Sequence, residues 1–309
     1  MSALRALLKR IALSVWRPIE RRAAGAYLAG PSLSDALAAG DRAAARGYGV
    51  ILGFWNADDD EPGDVARENL AAIEALAERG GRWYLSIKAP ALRYSRELIT
   101  EIAQEGARSG TIVHLDSHAP DTADETIAVA AVAREVNDQV GITIPGRWPR
   151  SLADADRACE LGLRVRVTKG EWPDPDDPDR DMQEGFLAVV GRVAGRARHV
   201  SVATHDGELA RAAVERLAAA GTPHDIELLA GLPFEPVVAV AQAAGLPVRV
   251  YVPHGHASLR YGLAYLARNP RRVWWLARDL LLRRRRALPP PLAAGGESSQ
   301  RGPIETRSR

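Results

Sequence analysis

Cysteine is almost missing from this chain: Cys159 stands alone among 309 residues. One thiol excludes an internal disulfide framework and any zinc site built from cysteines. A reducing, cytoplasmic setting is the default expectation. Long apolar runs are missing too. No stretch of about 18 apolar residues occurs, so no transmembrane helix is expected. Neither sign of charge is in real excess. Lys and Arg number 41 against 39 Asp and Glu, a net +2, which gives no field suited to nucleic acid. The dinucleotide-binding pattern G-x-G-x-x-G is also absent. GYGVILG at 47–53 has the glycines, but at the wrong spacing and running into a strand.

Hydrophobic residues make up 46% of the chain and charged residues 26%, as in an ordinary globular protein. The first 22 residues, MSALRALLKRIALSVWRPIERR, are basic and amphipathic. Their apolar stretch IALSVW is too short for a secretory core, and no A-x-A site follows closely. Two readings stay open: a helix covering the main body, and a helix lying on a membrane surface. After Leu282 the composition changes to RRRR (283–286), PPP and GGESSQRGPIETRSR. Such a stretch cannot bury enough apolar surface to fold. Residues 287–309 are expected to be disordered. The Arg run is read first as a solvated helix end, and beside Trp274 and Trp275 it also permits weak, peripheral contact with acidic lipids.

Eight short β-branched runs recur between Ala-rich helical stretches. They are GVILGFW (49–55), RWYLSIKA (82–89), TIVHLD (111–116) and VGITI (140–144), then RVRVTKG (164–170), HVSVATH (199–205), HDIELLAG (224–231) and PVRVYVPHG (247–255). Helical patterns such as 64–80 and 206–221 end in Gly, which suits a helix C-cap. Eight strict β-then-α alternations predict an α/β protein whose parallel sheet closes into a (β/α)8 barrel, which needs roughly 250 residues. Residues 1–44 are expected to be N-terminal helices, 45–286 the barrel, and 287–309 the tail. An open doubly wound sheet is the rival, with fewer strands.

Barrel enzymes work at the carboxyl ends of their strands. Asn56, Lys88, Asp116, Arg147, Lys169, His205, Glu227 and His254 end or follow successive strands here. Arg166 is the most informative of the polar residues. It lies inside a strand expected to be buried on both faces, where an unpaired guanidinium costs several kcal/mol. It needs a carboxylate such as Asp116, or an anionic ligand, unless it snorkels outward between helices. Lys169, three residues on, faces the other way in a regular strand. If both serve one pocket, one of them lies beyond the strand.

These residues also resemble a family. RVTKGEW (166–172) is similar to the R-L-V-K-G-A-Y motif of the proline dehydrogenases. VATHD (202–206) is similar to their A-T-H-N/D, and LSIKAPAL (85–92) to their S-x-K-x-x-x-L. VHLD (113–116) resembles their aspartate-bearing third strand, and RVYVPHG (249–255) their R-x-Y-x-P-Y-G. Order and spacing hold from about residue 45 to residue 282. The resemblance implies a barrel with FAD across its carboxyl-terminal mouth. It implies Lys88, Asp116, Arg166 and Tyr251 as catalytic residues, Arg166 approaching the flavin N5 edge. It implies Arg166, Lys169, Gly170, Thr204, His205 and Glu227 as cofactor-binding, with Thr204 and His205 at the phosphate and adenosine end. The reaction implied is hydride transfer from the carbon next to an amine nitrogen, with a quinone or other acceptor reoxidising the flavin.

The chain departs from the pattern on the substrate side. The family's last helix carries Y-L-x-R-R-x-x-E-[NR], whose arginines clamp the proline carboxylate. The fit onto 261–269 puts Ala264 and Tyr265 at the arginine pair and Arg268 at the glutamate. A bidentate Arg–carboxylate contact is strong and geometry-specific. Its loss predicts weak binding of a free α-amino acid and preference for a less anionic secondary amine. The glutamine of L-Q-A-Y becomes Pro145, its tyrosine Arg147, and a seventh-strand glutamine Glu227. Arg93, Arg147 and Arg268 are candidates for a relocated clamp. Three other readings remain. His114, Asp116, His118, His254 and His256 have the alternate spacing of a metal-dependent hydrolase barrel. A non-catalytic flavin- or ligand-binding barrel also fits a lost clamp. A Schiff-base aldolase using Lys169 has no second motif behind it.

Overall fold

The computed structural model describes residues 28–57, 59–116, 118–256 and Leu292. Helix α1 (Leu33–Ala44) precedes β1 (Gly49–Trp55). There follow α2 (Pro62–Ala77), β2 (Trp83–Ile87), α3 (Arg96–Ser109), β3 (Val113–Leu115), α4 (Ala123–Val136) and β4 (Val140–Pro145). The second half runs α5 (Ser151–Glu160), β5 (Arg164–Thr168), α6 (Met182–Val193), β6 (Val200–Ala203), α7 (Gly207–Ala219), β7 (His224–Leu229), α8 (Glu235–Ala244) and β8 (Val248–Gly255). The strands pair in chain order and β8 closes on β1, all parallel. The expected barrel is the observed one, and each expected strand overlaps an observed strand. The open-sheet rival is excluded by closure. The segments 1–27 and 257–282, the Arg283–Arg286 run and nearly all of the tail lie outside the described residues. Leu292 is described: its N–H donates to the Arg46 carbonyl at 3.0 Å.

Local sequence chemistry explains the elements. Ser32 caps α1 in a capping box with Asp35, and Ser95, Asp181 and Asp206 cap α3, α6 and α7. Each cap satisfies an otherwise orphaned amide of the first turn. Pro62 and Pro236 sit in first turns, where the missing N–H costs nothing. Helices α2 and α7 stop just before Gly80 and Gly221, both at positive φ as expected of glycine past a helix end.

The hydrophobic core lies between strands and helices. Val50, Leu52, Leu85, Leu115, Val165, Val167, Val202 and Val250 are buried there. The opposite faces of the same strands fill the barrel with polar groups. Pleat alternation puts Tyr84, Ser86 and Lys88 on one face of β2, and Arg164, Arg166 and Thr168 on one face of β5. Toward the amino ends, Asp225 Oδ2 lies 3.4 Å from Arg249 and 3.6 Å from His199. Burial there pushes the His199 imidazole down to about 4. The barrel is therefore tied internally by charge as well as by packing, which confines the open space to its carboxyl end.

Candidate active site

Arg166 occupies the centre of that carboxyl end. Midway along β5, it faces inward and is buried. Its Nε donates to Glu227 Oε2 at 2.5 Å, and its Nη1 donates to Asp116. Nη1 also reaches Ser86 at 3.3 Å and Thr143 at 3.4 Å, and Nη2 donates to the Tyr84 hydroxyl at 2.8 Å. Tyr84 in turn donates to Glu227. Burial works against the guanidinium charge, but Glu227, Tyr84 and Asp116 outweigh it and hold its pKa well above the ordinary value. The expected pairing with Asp116 is present, and Glu227 is a second partner. The outward, snorkelling alternative is excluded.

Around Arg166 is a cavity of about 310 Å³. That is at the lower end of ligand-pocket volumes, roughly 300–1,000 Å³. Tyr251 reaches into it from β8 and donates its hydroxyl to Asp116 Oδ2 at 3.2 Å. The same hydroxyl accepts from Trp55 Nε1 at 3.3 Å. Gly53, which pairs with Pro253 in the register of β1 and β8, leaves room for the Tyr251 phenol, which occupies the volume that a Cβ there would need. Lys88 follows β2, and its Nζ stands 4.7 Å from the centre of the Trp55 ring. Asp116 thus divides its oxygens between a guanidinium and a phenol, while Lys88 rests on an aromatic face.

Burial lowers the Lys88 pKa from 10.5 to about 8, against the pull of Asp116 and Glu171. The consequence for stability has a definite sign. Between pH 8 and 10.5 the unfolded chain binds the proton that the folded one has released, so stability rises with pH across that window. A displacement of this size is worth on the order of 3 kcal/mol. Urea melts of the wild type and Lys88→Met from pH 7.5 to 10.5 should diverge accordingly, the wild type gaining on the variant. Parallel curves would mean that Lys88 titrates normally.

The mouth is built from strand ends and the loops after them. Lys169 lies just past β5 and pairs with Asp206 at 3.5 Å, as the spacing to Arg166 required. Gln183 also donates to Asp206, at 3.3 Å. Gly170 lines the cavity at φ 91°, and a Cβ there would meet Pro145 at 2.8 Å and Arg147 at 2.9 Å. His205 lines the cavity as well, with both ring nitrogens engaged. Leu229 N–H donates to Nε2 at 3.0 Å, and Nδ1 meets the Pro233 carbonyl at 2.8 Å. Those partners assign the proton to Nδ1. Burial lowers the His205 pKa, so a neutral ring staples the end of β7 to the loop beyond it. Thr204 is buried and accepts from Asp206 N–H at 3.2 Å. The structure therefore gathers Lys88, Asp116, Arg166, Gly170, His205, Glu227 and Tyr251 around one cavity, with Lys169 and Thr204 just outside its lining.

Of the relocated-clamp candidates, Arg147 holds the carbonyls of Glu171 and Pro178 at 3.2 and 3.4 Å. Arg93 pairs with Glu61 at 3.3 Å on the exterior. Neither lines the cavity. Arg268, Ala264 and Tyr265 lie outside the described residues. The metal-hydrolase constellation does not assemble. The pleat turns His254 away from Tyr251 and toward the helices, where its Nε2 meets Glu68 at 3.2 Å. His114 faces inward, 2.9 Å from Thr143. Among the described residues no three His, Cys, Asp or Glu side chains converge as a metal site would need. Trp55, Glu171 and Trp172 are among the cavity residues not singled out from sequence, and Tyr84, which bonds Arg166 from outside the lining, was not singled out either. Tyr84 carried a usable signal, since it shares the face of Lys88 four residues on.

No family model matches the chain. It is 24% identical over 245 residues to proline dehydrogenase 1 of Bacillus subtilis strain 168, covering 74% of this chain and 80% of the relative. The same figures hold for proline dehydrogenase 1 of Bacillus subtilis subsp. natto. Among solved structures, proline utilization A from Bdellovibrio bacteriovorus, inactivated by N-propargylglycine, superposes with a TM-score of 0.68 at 17% identity. That match covers 86% of this chain and 34% of the neighbour. Proline utilization A from Bradyrhizobium japonicum gives 0.63 at 18% identity, covering 83% and 30%. The chain thus spans about a third of those larger proteins. Its barrel matches theirs in fold, and the two Bacillus relatives carry the sequence likeness across most of the chain: the chain is similar to the proline dehydrogenases.

Proposed function

We propose that this protein is a flavin-dependent oxidoreductase that removes a hydride from the carbon next to the nitrogen of proline or a related secondary amine. FAD is the cofactor that the residues fit. The observation that carries the reading is the buried Arg166 cation, fixed at the floor of an open cavity. A fixed charge in a water-poor site costs no reorganisation when negative charge develops against it. Gly170 leaves backbone room at the mouth, where Lys169 supplies a part-exposed cation suited to a pyrophosphate. The match to proline dehydrogenases supports the same reading.

When bound, the flavin supplies the two-electron acceptor, which a quinone or another oxidant then regenerates. The chain's own residues do the rest. Arg166 would supply a fixed positive charge at the cavity to offset negative charge developing on the acceptor. Asp116 stays paired to Arg166 and Tyr251, which suits it to orient a substrate N–H (its oxygens being engaged already). Lys88, which lines the same cavity with its pKa lowered by burial to about 8, would take the amine proton. In the substrate a C–H bond breaks with its electron pair, an N–H proton is lost, and a C=N bond forms. The cytoplasmic setting and peripheral membrane contact belong to the same proposal. No helix among the described residues is long and apolar enough to cross a membrane.

Purified full-length protein should be yellow, or should take up FAD when it is added. A ligand that binds only the native state at 100 times its Kd adds about 2.7 kcal/mol of apparent stability. A colourless protein whose melting point ignores excess FAD would sink the reading.

A further inference from the structure

Trp55 is held at its backbone and at its ring edge, and its ring face carries Lys88. It ends β1 opposite Gly255 of β8, and its carbonyl accepts from the His256 N–H at 2.7 Å. Its Nε1 donates to the Tyr251 hydroxyl at 3.3 Å, and that hydroxyl donates onward to Asp116 at 3.2 Å. Main chain and ring edge are thus fixed to separate partners, which sets the plane of the indole. The Lys88 Nζ stands 4.7 Å from the centre of that ring.

An aromatic face attracts an ammonium through the ring quadrupole, and a neutral amine gains little from it. Lys88 meets this face where water is scarce. Burial lowers its pKa to about 8, against the pull of Asp116 and Glu171. Arg166, Glu227, His118 and Tyr251 line the same cavity. Burial pushes His118 down to about 4, so no further cation arises there near neutral pH. In the amine reaction Lys88 is neutral before the proton moves and cationic after it. The substrate N–H proton passes to Nζ, the C–H pair leaves as hydride to the flavin, and C=N forms. A contact that favours only the cation strengthens as that proton moves. It therefore lowers the barrier rather than merely adding to binding.

We infer that Trp55 is a positioning residue for the amine oxidation, its indole face receiving the Lys88 ammonium that forms when the substrate gives up its N–H proton. The inference rests on the oxidoreductase reading for the reaction, but the contact can be read without substrate. Lys9, Lys88 and Lys169 are the three lysines of the chain. A carbon-13 label at lysine Cε therefore gives three NMR titration curves, and Lys88→Met identifies one of them. Full-length protein, as purified, is titrated after growth on ordinary or on fluorinated tryptophan. Fluorine draws electron density from the ring face but barely alters its size and keeps its N–H. The Lys88 half-titration point should fall by about 0.5 pH or more, about threefold in the protonation equilibrium. A ring that only fills space does not feel the fluorine. In Trp55→Phe, which has no indole at this place, fluorination should leave the point where it is. Trp55→Tyr serves equally should Trp55→Phe not fold. A Lys88 point that ignores fluorination in the wild type, or that falls as far in these variants, would overturn the inference. Flavin content, read on the same samples, separates the two ideas. A flavin-loaded protein whose Lys88 ignores the fluorine defeats only the role of Trp55. A protein whose Lys88 responds but that never takes up flavin defeats the oxidoreductase reading, and with it the proton step assigned here.

Discussion

Arg166→Ala should slow flavin reduction by about a hundredfold or more, the usual effect of removing a preorganised group that meets developing charge. Substrate affinity should change much less, because the charge grows during hydride departure rather than on binding. Stability should fall as well. Asp116 and Glu227 both lean on the guanidinium, and Glu227 is almost wholly buried. Removing one partner of a buried ion pair typically costs about 3–5 kcal/mol. These two losses have different remedies. Adding Glu227→Gln to Arg166→Ala removes one stranded charge and should recover part of the stability. It should recover none of the rate, because no cation returns. Rapid-mixing measurements of flavin bleaching give the rate, and urea melts give the stability. A reduction rate equal to wild type in Arg166→Ala would make Arg166 a structural brace and remove it from the chemistry.

The eight strands were legible because each is a β-branched run with an apolar side for the helices. Gly, Pro and capping residues punctuate them as backbone chemistry requires. Arg166 was legible as a buried cation in need of a carboxylate, and Asp116 as a suitable one. Glu227 was named, but not as the second arm of that clamp. Strand register decides this: β5, β6 and β7 bring Arg166 beside Ser201, and Glu227 beside Ala203. Which long side chains then meet across the barrel depends on stagger, which no single strand reveals. Tyr84 escaped notice for the same reason. His205 shows a different limit. Its place after a strand marks it for the mouth, yet the fold commits both nitrogens to backbone partners, leaving the ring surface for any ligand. The histidine constellation misled because alternate spacing fixes a face within one strand only. It says nothing of whether another strand turns its own histidine inward. Glu171 and Trp172 sit on a loop, where no periodicity tells which side chains face the cavity.

The packing under that same loop yields the last prediction, Gly185→Ala. Alanine is the better helix former by roughly 1 kcal/mol, so in the first turns of α6 the substitution would ordinarily stabilise. Here the backbone of α6 rests directly on the end of β4. A Cβ at Gly185 would be driven into the Gly146 carbonyl oxygen, and a Cβ at Gly146 would meet the Gly185 carbonyl carbon at 2.6 Å. Neither obstacle is a side chain that can turn aside. Gly146 is itself fixed, its N–H donating to the Thr168 carbonyl at 2.8 Å. The helix must therefore move away from the barrel, at the upper end of the usual overpacking cost of about 1–3 kcal/mol, or beyond it. Moving α6 also drags the 169–181 segment that carries Lys169 to Trp172, so FAD affinity should weaken together with stability. Gly191, two turns along the same helix, is the internal control, since nothing lies within 4 Å of a Cβ built there. Gly191→Ala should stabilise by about 0.5–1 kcal/mol. Thermal melts of the two variants should thus move in opposite directions, with Gly185→Ala several degrees lower. If both substitutions raise the melting point, α6 is not seated on β4 as closely as the two glycines require.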